Sequence, residues 1–262
     1  FIKKEDCLIV LTKDGYVKRL PIDEIHTQNR NGKGKQSINM YDGDSVKTLL
    51  NASTHDNVFF FTKSGKIYGN KAWDLPESDK GRHVKNLFEL IDSEIVSIIC
   101  FSDEELEKDK LSVITVSKNG KIKRSSASQY ASALRLKAGL IGFKLEEEDD
   151  LITVLSCKDN DHLMIVTSDN VVNRFVIDDN NFRKTGRSAL GVDGVKLSKN
   201  EEVIDAMIVE VNESDIIYKK ETINKYIQDD NGDIKMIGKM YRIDGTEDID
   251  VLDTSLIDKD KY

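Results

Sequence analysis

The sequence predicts an all-β protein, a propeller-like disc of four-stranded blades with four clear repeats and a degenerate fifth. Three observations carry this expectation: a gapless internal repeat, a tight turn at the same place in every copy, and a near absence of proline and of long amphipathic helical pattern. The repeat is CLIVLTKDGYVKR (7–19), NVFFFTKSGKIYG (57–69), SVITVSKNGKIKR (112–124) and HLMIVTSDNVVNR (162–174). With Thr12, Thr62, Ser117 and Thr167 as markers, the spacings are 50, 55 and 50 residues.

Each repeat begins with β-branched and aromatic residues and runs into Asp14-Gly15, Ser64-Gly65, Asn119-Gly120 or Asp169-Asn170. These dipeptides reach positive φ cheaply, so each segment reads as a β-hairpin. A second half follows, clearest in GLIGFKLEEEDDLITVL (139–155) and GVDGVKLSKNEEVIDAM (191–207), and reads as a second hairpin closed by an acidic turn. Two hairpins make about four strands per unit, the composition of a propeller blade. A lone four-stranded sheet has one apolar face too many to hide, so successive units stack their faces. The expected blades fall at about 5–50, 51–104, 110–156 and 160–210 in a single domain over 1–262. Residues 211–262 form the degenerate fifth, in which no glycine stands at the expected turn near Glu221 and Thr222.

Several kinds of chemistry are excluded. The longest apolar stretch, Ile95 to Phe101, is far short of the roughly 20 residues of a membrane helix, so no membrane partner is expected. Cys7, Cys100 and Cys157 are far apart with no CxxC pair and read as buried reduced thiols; the four histidines lack metal-ligand spacing. No metal site is expected. The chain opens at Phe1 without a signal peptide, and the expectation is a piece of a longer cytoplasmic protein.

The net charge of −8 argues against nucleic acid until its arrangement is considered. Basic residues follow each marker by 16 to 23 positions: Arg30, Lys33 and Lys35; Lys80, Arg82 and Lys85; Arg135 and Lys137; Arg183, Lys184 and Arg187. Lys121, Lys123 and Arg124 add to the third unit, where Ser117 to Lys137 carries six basic residues and no acidic one. Acidic residues come later in each unit: Asp42 and Asp44, Asp92 and Glu94, Glu146 to Asp150, Glu201 and Glu202. Equivalent positions of stacked blades lie on one ring, so the cations form a positive band and the acids another edge. Such a band suits duplex DNA bent around it, held through phosphates without base readout. A propeller that binds protein would not need cations locked to the repeat phase.

The stretch Gln28-Asn29-Arg30-Asn31-Gly32-Lys33-Gly34 resembles the box of the A subunit of bacterial type IIA topoisomerases of the DNA gyrase kind. Its usual form is Gln, basic, Arg, Gly, Gly, basic, Gly. GYVKRLPIDEI (15–25), NASTHDNVFFFTKSGKIY (51–68), KAWDLPES (71–78) and TGRSALGVDGVKL (185–197) resemble gyrase segments as well, so the likeness covers about residues 5–209. It implies a β-pinwheel, a disc whose blades exchange strands, that binds and wraps DNA in the service of supercoiling. Gln28, Arg30, Gly32, Lys33 and Gly34 match the box, with Lys35 just after. Asn29 removes a basic residue, and Asn31 replaces a glycine with one of the residues most tolerant of left-handed geometry. The resemblance also implies partners, namely the catalytic domains of the parent chain together with a gyrase B-type subunit. It implies ATP and magnesium for the parent enzyme and no cofactor, nucleophilic tyrosine or activity for this domain. The corresponding chain of topoisomerase IV uses a similar pinwheel, usually without a good box, and remains open as an alternative that binds DNA with little wrapping. The acidic stretch Glu247 to Asp260 is expected to compete with DNA for the band.

Overall fold

A computed structural model of the chain describes residues 2–25, 29–31, 39–89 and 93–211, together with the strand backbones of 218–228, 234–242 and 247–250. It divides into two compact units, Phe1–Glu210 and Val211–Tyr262. The first holds four small antiparallel sheets arranged as a propeller-like ring. No helix among the described residues is long and apolar enough to cross a membrane.

In chain order the strands of the first unit are β1 (Asp6–Thr12), β2 (Tyr16–Pro21), β3 (Val46–Ser53), β4 (Asn57–Thr62), β5 (Lys66–Lys71), β6 (Arg82–His83) and β7 (Ile95–Phe101). They continue as β8 (Ser112–Ser117), β9 (Lys121–Ser126), β10 (Leu140–Ile141), β11 (Leu151–Cys157), β12 (His162–Thr167), β13 (Val172–Val176), β14 (Val192–Asp193) and β15 (Val203–Val209). The sheet orders are β3-β1-β2-β6, β10-β5-β4-β7, β11-β8-β9-β14 and β13-β12-β15. The second unit pairs β16 (Tyr218–Gln228), β17 (Ile234–Arg242) and β18 (Glu247–Asp250) in that order.

The repeated hydroxyl that marks each unit has a local reason. Thr12, Thr62 and Ser117 accept a hydrogen bond from the backbone N–H four residues on, at Tyr16, Lys66 and Lys121. The hairpin turn is thereby closed from inside. The third turn residue sits at positive φ, +87° at Gly15, +85° at Gly65, +80° at Gly120 and +61° at Asn170, which is why glycine or asparagine recurs there. One short helix, α1 (Asp103–Lys108), links the second and third blades behind a Ser102–Glu105 capping box.

The second hairpin of the sequence reading is divided between two sheets. Leu140-Ile141 pairs with β5 of the preceding blade, whereas Leu151–Cys157 pairs with β8 of its own. β6 and β14 are likewise donated backwards, to β2 and β9. Only two residues of each donor are extended, so alternation along the sequence could not show which sheet they joined. Gly191, at φ +86°, opens one such strand where a Cβ would stand 2.7 Å from the Ile122 carbonyl oxygen.

Stacking explains the burial. β4 and β8 are buried at all six positions, because alternate residues face opposite neighbours. Phe60 joins the core against the first blade, and Phe59 and Phe61 the core against the third. Ile114, Val116, Leu163 and Ile165 form the next core. β12 alternates between buried and half-buried, since the fourth blade has only one face covered among the described residues. Cys7 and Cys157 are buried free thiols and Cys100 a half-buried one, and burial pushes them up to about 11, 12 and 12 respectively.

Candidate nucleic-acid interface

Strands β3, β7, β11 and β15 pack successively against one another and form the inner row of the ring. The donated pairs β6, β10 and β14 occupy the opposite edges of their sheets, so the segments leading into and out of them make the outer rim. That is where the phased basic residues lie. Arg82 is on β6 itself, with Lys80 just before and Lys85 just after, all exposed. Arg135 and Lys137 are exposed at the end of the 3-10 turn Ala127–Arg135 that precedes β10. Arg183 is exposed in the loop before β14.

Contacts across blade boundaries join these clusters. The Lys80 ammonium lies 4.5 Å from the centre of the Tyr41 ring, and Asn39 donates to Asp79 at 2.6 Å. Lys85 and Lys137 line one cleft, beside a 3.1 Å bond from the Glu89 N–H to the Lys137 carbonyl. Arg187 is half-buried, with its guanidinium donating to the Ile141 carbonyl and its N–H to Gln129 Oε1 at 2.7 Å. Lys184 stands 3.4 Å from Asp159.

Three predicted contacts fall elsewhere. Lys123 and Arg124 are 1% exposed and turned inward. Lys123 donates to the Gly142 carbonyl at 2.5 Å and to that of Arg187, and burial pushes its amine down to about 7. Arg124 pairs with Asp159 and Asp179 and donates to the Phe182 carbonyl. Lys121 is held between Glu146 at 3.2 Å and Asp193 at 2.7 Å. None of the three presents a free cation to a phosphate, because the donated strand and the loop before it cover β9. Conversely, Lys144 and Lys196 are exposed just after β10 and β14, at matching places in GFKL and GVKL, a recurrence the charge count passed over.

In the box, Arg30 is exposed and Asn31 takes φ +69°, the geometry a glycine would take. Gln28, Gly32, Lys33, Gly34 and Lys35 lie outside the described residues.

The acids sit at the hairpin-turn end of the blades. Asp44 accepts from the Asp14 N–H at 3.0 Å and Asp149 from that of Asn119 at 2.9 Å. Asp150 and Glu202 pair with Lys63 and Lys118, the lysines just past the markers of the preceding units, at 3.2 and 2.8 Å. The fold therefore holds the phased acids at the turn ends, while Glu77, Asp79 and Asp179 stand exposed near the rim cations.

The family model described as the DNA gyrase C-terminal domain, β-propeller, matches residues 8–53, 56–87, 112–158 and 161–210. The chain belongs to the DNA gyrase A C-terminal domain family. Its relatives include the gyrase A proteins of Staphylococcus aureus strains MRSA252 and NCTC 8325, each 34% identical over 217 residues. Those alignments cover 82% of this chain and 24% of the relative, so the gyrase-family chain spans about a quarter of the proteins it matches. Among solved structures, a DNA gyrase A C-terminal domain superposes with a TM-score of 0.62 at 25% identity, covering 91% of this chain and 72% of that one. The C-terminal domain of a DNA topoisomerase IV gives 0.65 at 23% identity, covering 92% and 68%, and supports the fold.

Proposed function

We propose that this gyrase-family domain binds duplex DNA on its outer rim without reading bases, and that it wraps the duplex in the service of a supercoiling type II topoisomerase. The observation that carries the reading is the placement of Lys80, Arg82, Lys85, Arg135, Lys137 and Arg183 beside successive donated strands, with the acids at another edge. Bending DNA costs several kcal/mol, which distributed phosphate contacts offset. Arg30 and the box residues beyond it act in this proposal as a clasp, and the half-buried Lys184 and Arg187 as secondary contacts. In the parent protein the partners are the catalytic domains of the same polypeptide together with a gyrase B-type subunit. Strand passage there uses ATP and magnesium, and the site of action is cytoplasmic DNA.

Two measurements test this. With roughly 6 to 10 phosphates engaged, affinity falls about 10³- to 10⁵-fold between about 50 and 200 mM salt; a salt-independent affinity overturns the reading. A closed circular plasmid relaxed by a type I topoisomerase in the presence of the domain retains positive superhelicity after deproteinisation if the domain wraps. Binding without retained superhelicity identifies a topoisomerase IV-like surface instead.

A further inference from the structure

The two most buried cations of the third blade lie directly beneath a rim loop. Lys123 and Arg124 of β9 hold the segment before β14 by its backbone: Lys123 at the Arg187 carbonyl, Arg124 at the Phe182 carbonyl at 3.1 Å. The Thr185 N–H returns a bond to the Arg124 carbonyl at 2.8 Å. The same dipeptide stands at the same repeat phase in the first blade. Lys18, 6% exposed, donates at 2.7 Å to the Asp79 carbonyl, just ahead of Lys80 and Arg82. The Arg19 N–H donates to the Pro76 carbonyl at 2.8 Å, and its guanidinium pairs with Glu77 at 2.5 Å. In the second blade the position is Tyr68-Gly69, and there the covering segment is the 3-10 turn Ala127–Arg135, which carries its own backbone bonds.

We propose that Lys18-Arg19 and Lys123-Arg124 are positioning residues, buried clamps that fix the rim loop of the following unit so that its exposed cations meet phosphate in register. The proposal rests on the DNA-binding reading above and assigns to buried cations a role that surface charge cannot fill. A flexible loop would lose ordering entropy for each phosphate it met, and a clamped loop has already lost it. Replacing Lys123 with methionine, similar in length and uncharged, removes its bond to the rim loop and its bond to Gly142 just after β10, and also removes the desolvation of a buried ammonium.

The test compares wild type, Lys123→Met, Lys18→Met and the rim variant Arg135→Ala/Lys137→Ala, by affinity for linear duplex DNA across a salt series and by thermal midpoint. Each Lys→Met variant is expected to bind more weakly, with the slope of log affinity against log salt shallower by about 0.9 for each phosphate no longer neutralised. The thermal midpoint of Lys123→Met stays level or rises. Charge also leaves a signature: the groups facing Lys123 are the Arg187 guanidinium and the Tyr130 phenol, and among the described residues no carboxylate pairs with it. A neutral amine donates more weakly than an ammonium, so wild-type affinity falls from about pH 6 to about pH 8 more steeply than that of Lys123→Met. Should Lys123→Met unfold at the assay temperature, Lys18→Met decides. Wild-type affinity and slope in the Lys→Met variants, with weaker binding in the rim variant, overturn the clamp and leave DNA binding standing. Unchanged binding in every variant overturns both.

Discussion

Lys123 shows how one residue can bear on stability and binding in opposite directions. Its folded-state pKa is about 7, against 10.5 ordinarily, so between those values the unfolded chain holds a proton that the folded chain has released. The contribution of Lys123 to stability rises with pH across that window, by up to about 1.4 kcal/mol per unit, while the three thiols that burial raises from 9.0 act the other way above that value. Denaturant titrations from about pH 7 to about pH 9, below the range in which the thiols titrate, should show this rise in wild type and lose it in Lys123→Met. Gly65 is a residue of another kind, at φ +85° with the space for a Cβ taken by the Phe143 carbonyl oxygen of the next unit. Gly65→Ala is expected to cost about 1–3 kcal/mol, measured by urea unfolding, since both the turn and the donated segment must shift. The turn was legible from Ser64-Gly65, but the segment pressed on it was not, because it comes from almost 80 residues away.

At the scale of the element, each hairpin turn is tied down by a side chain about thirty residues on. For Asp44, partial burial opposes ionisation, but hydrogen bonds from the Thr12 hydroxyl and the Asp14, Ser45 and Lys13 N–H groups hold its carboxyl below the usual range. Glu201 is lowered by the Ser198 N–H and the Thr167 hydroxyl. Both contribute stability that is present above the ordinary carboxylate range and lost as pH falls through the lower folded value. Acid titration of thermal stability should therefore show a smaller loss in Asp44→Asn than in wild type. The acids were legible as a phased cluster, but their service to the turns was not. A second comparison concerns the receiving edge. Val17, Ile67 and Ile122 pair with donated strands and are fully buried, whereas their counterpart Val172 is 58% exposed and no strand is donated to β13 among the described residues. Ile122→Ala should cost about 2–4 kcal/mol and Val172→Ala under about 1 kcal/mol, by urea unfolding.

For the whole molecule the governing quantity is the distribution of charge, not its total. A net charge of −8 would repel DNA from a uniform surface, yet the phased cations collect on the rim and the phased acids are tied up at the turn ends, two of them in pairs with Lys63 and Lys118. Replacing Arg82 and Lys85, or Arg135 and Lys137, with alanine should shallow the salt slope of DNA binding by about 2 for each pair. Gel-shift titration at several salt concentrations checks this, and an unchanged slope would show that the rim does not meet the duplex. Arg30→Ala/Lys33→Ala should reduce retained plasmid superhelicity more than it reduces binding, if the box is a clasp.

The sequence by itself determined the repeat, its turns, its strands and the phase of its charges, because each is written within a dozen residues by local conformational preference. It also carried the family resemblance through the box and its flanks. Only the tertiary structure decided which sheet each short strand joined and which cations face water. Lys123, Arg124 and Arg135 look alike as letters of one acid-free basic stretch, yet the first two are buried and the third is exposed. The difference comes from a loop some 60 residues further on that crosses β9 and takes its two basic side chains as anchors. Burial is a property of what packs on a residue, and in a fold that exchanges strands much of the covering chain comes from the next unit.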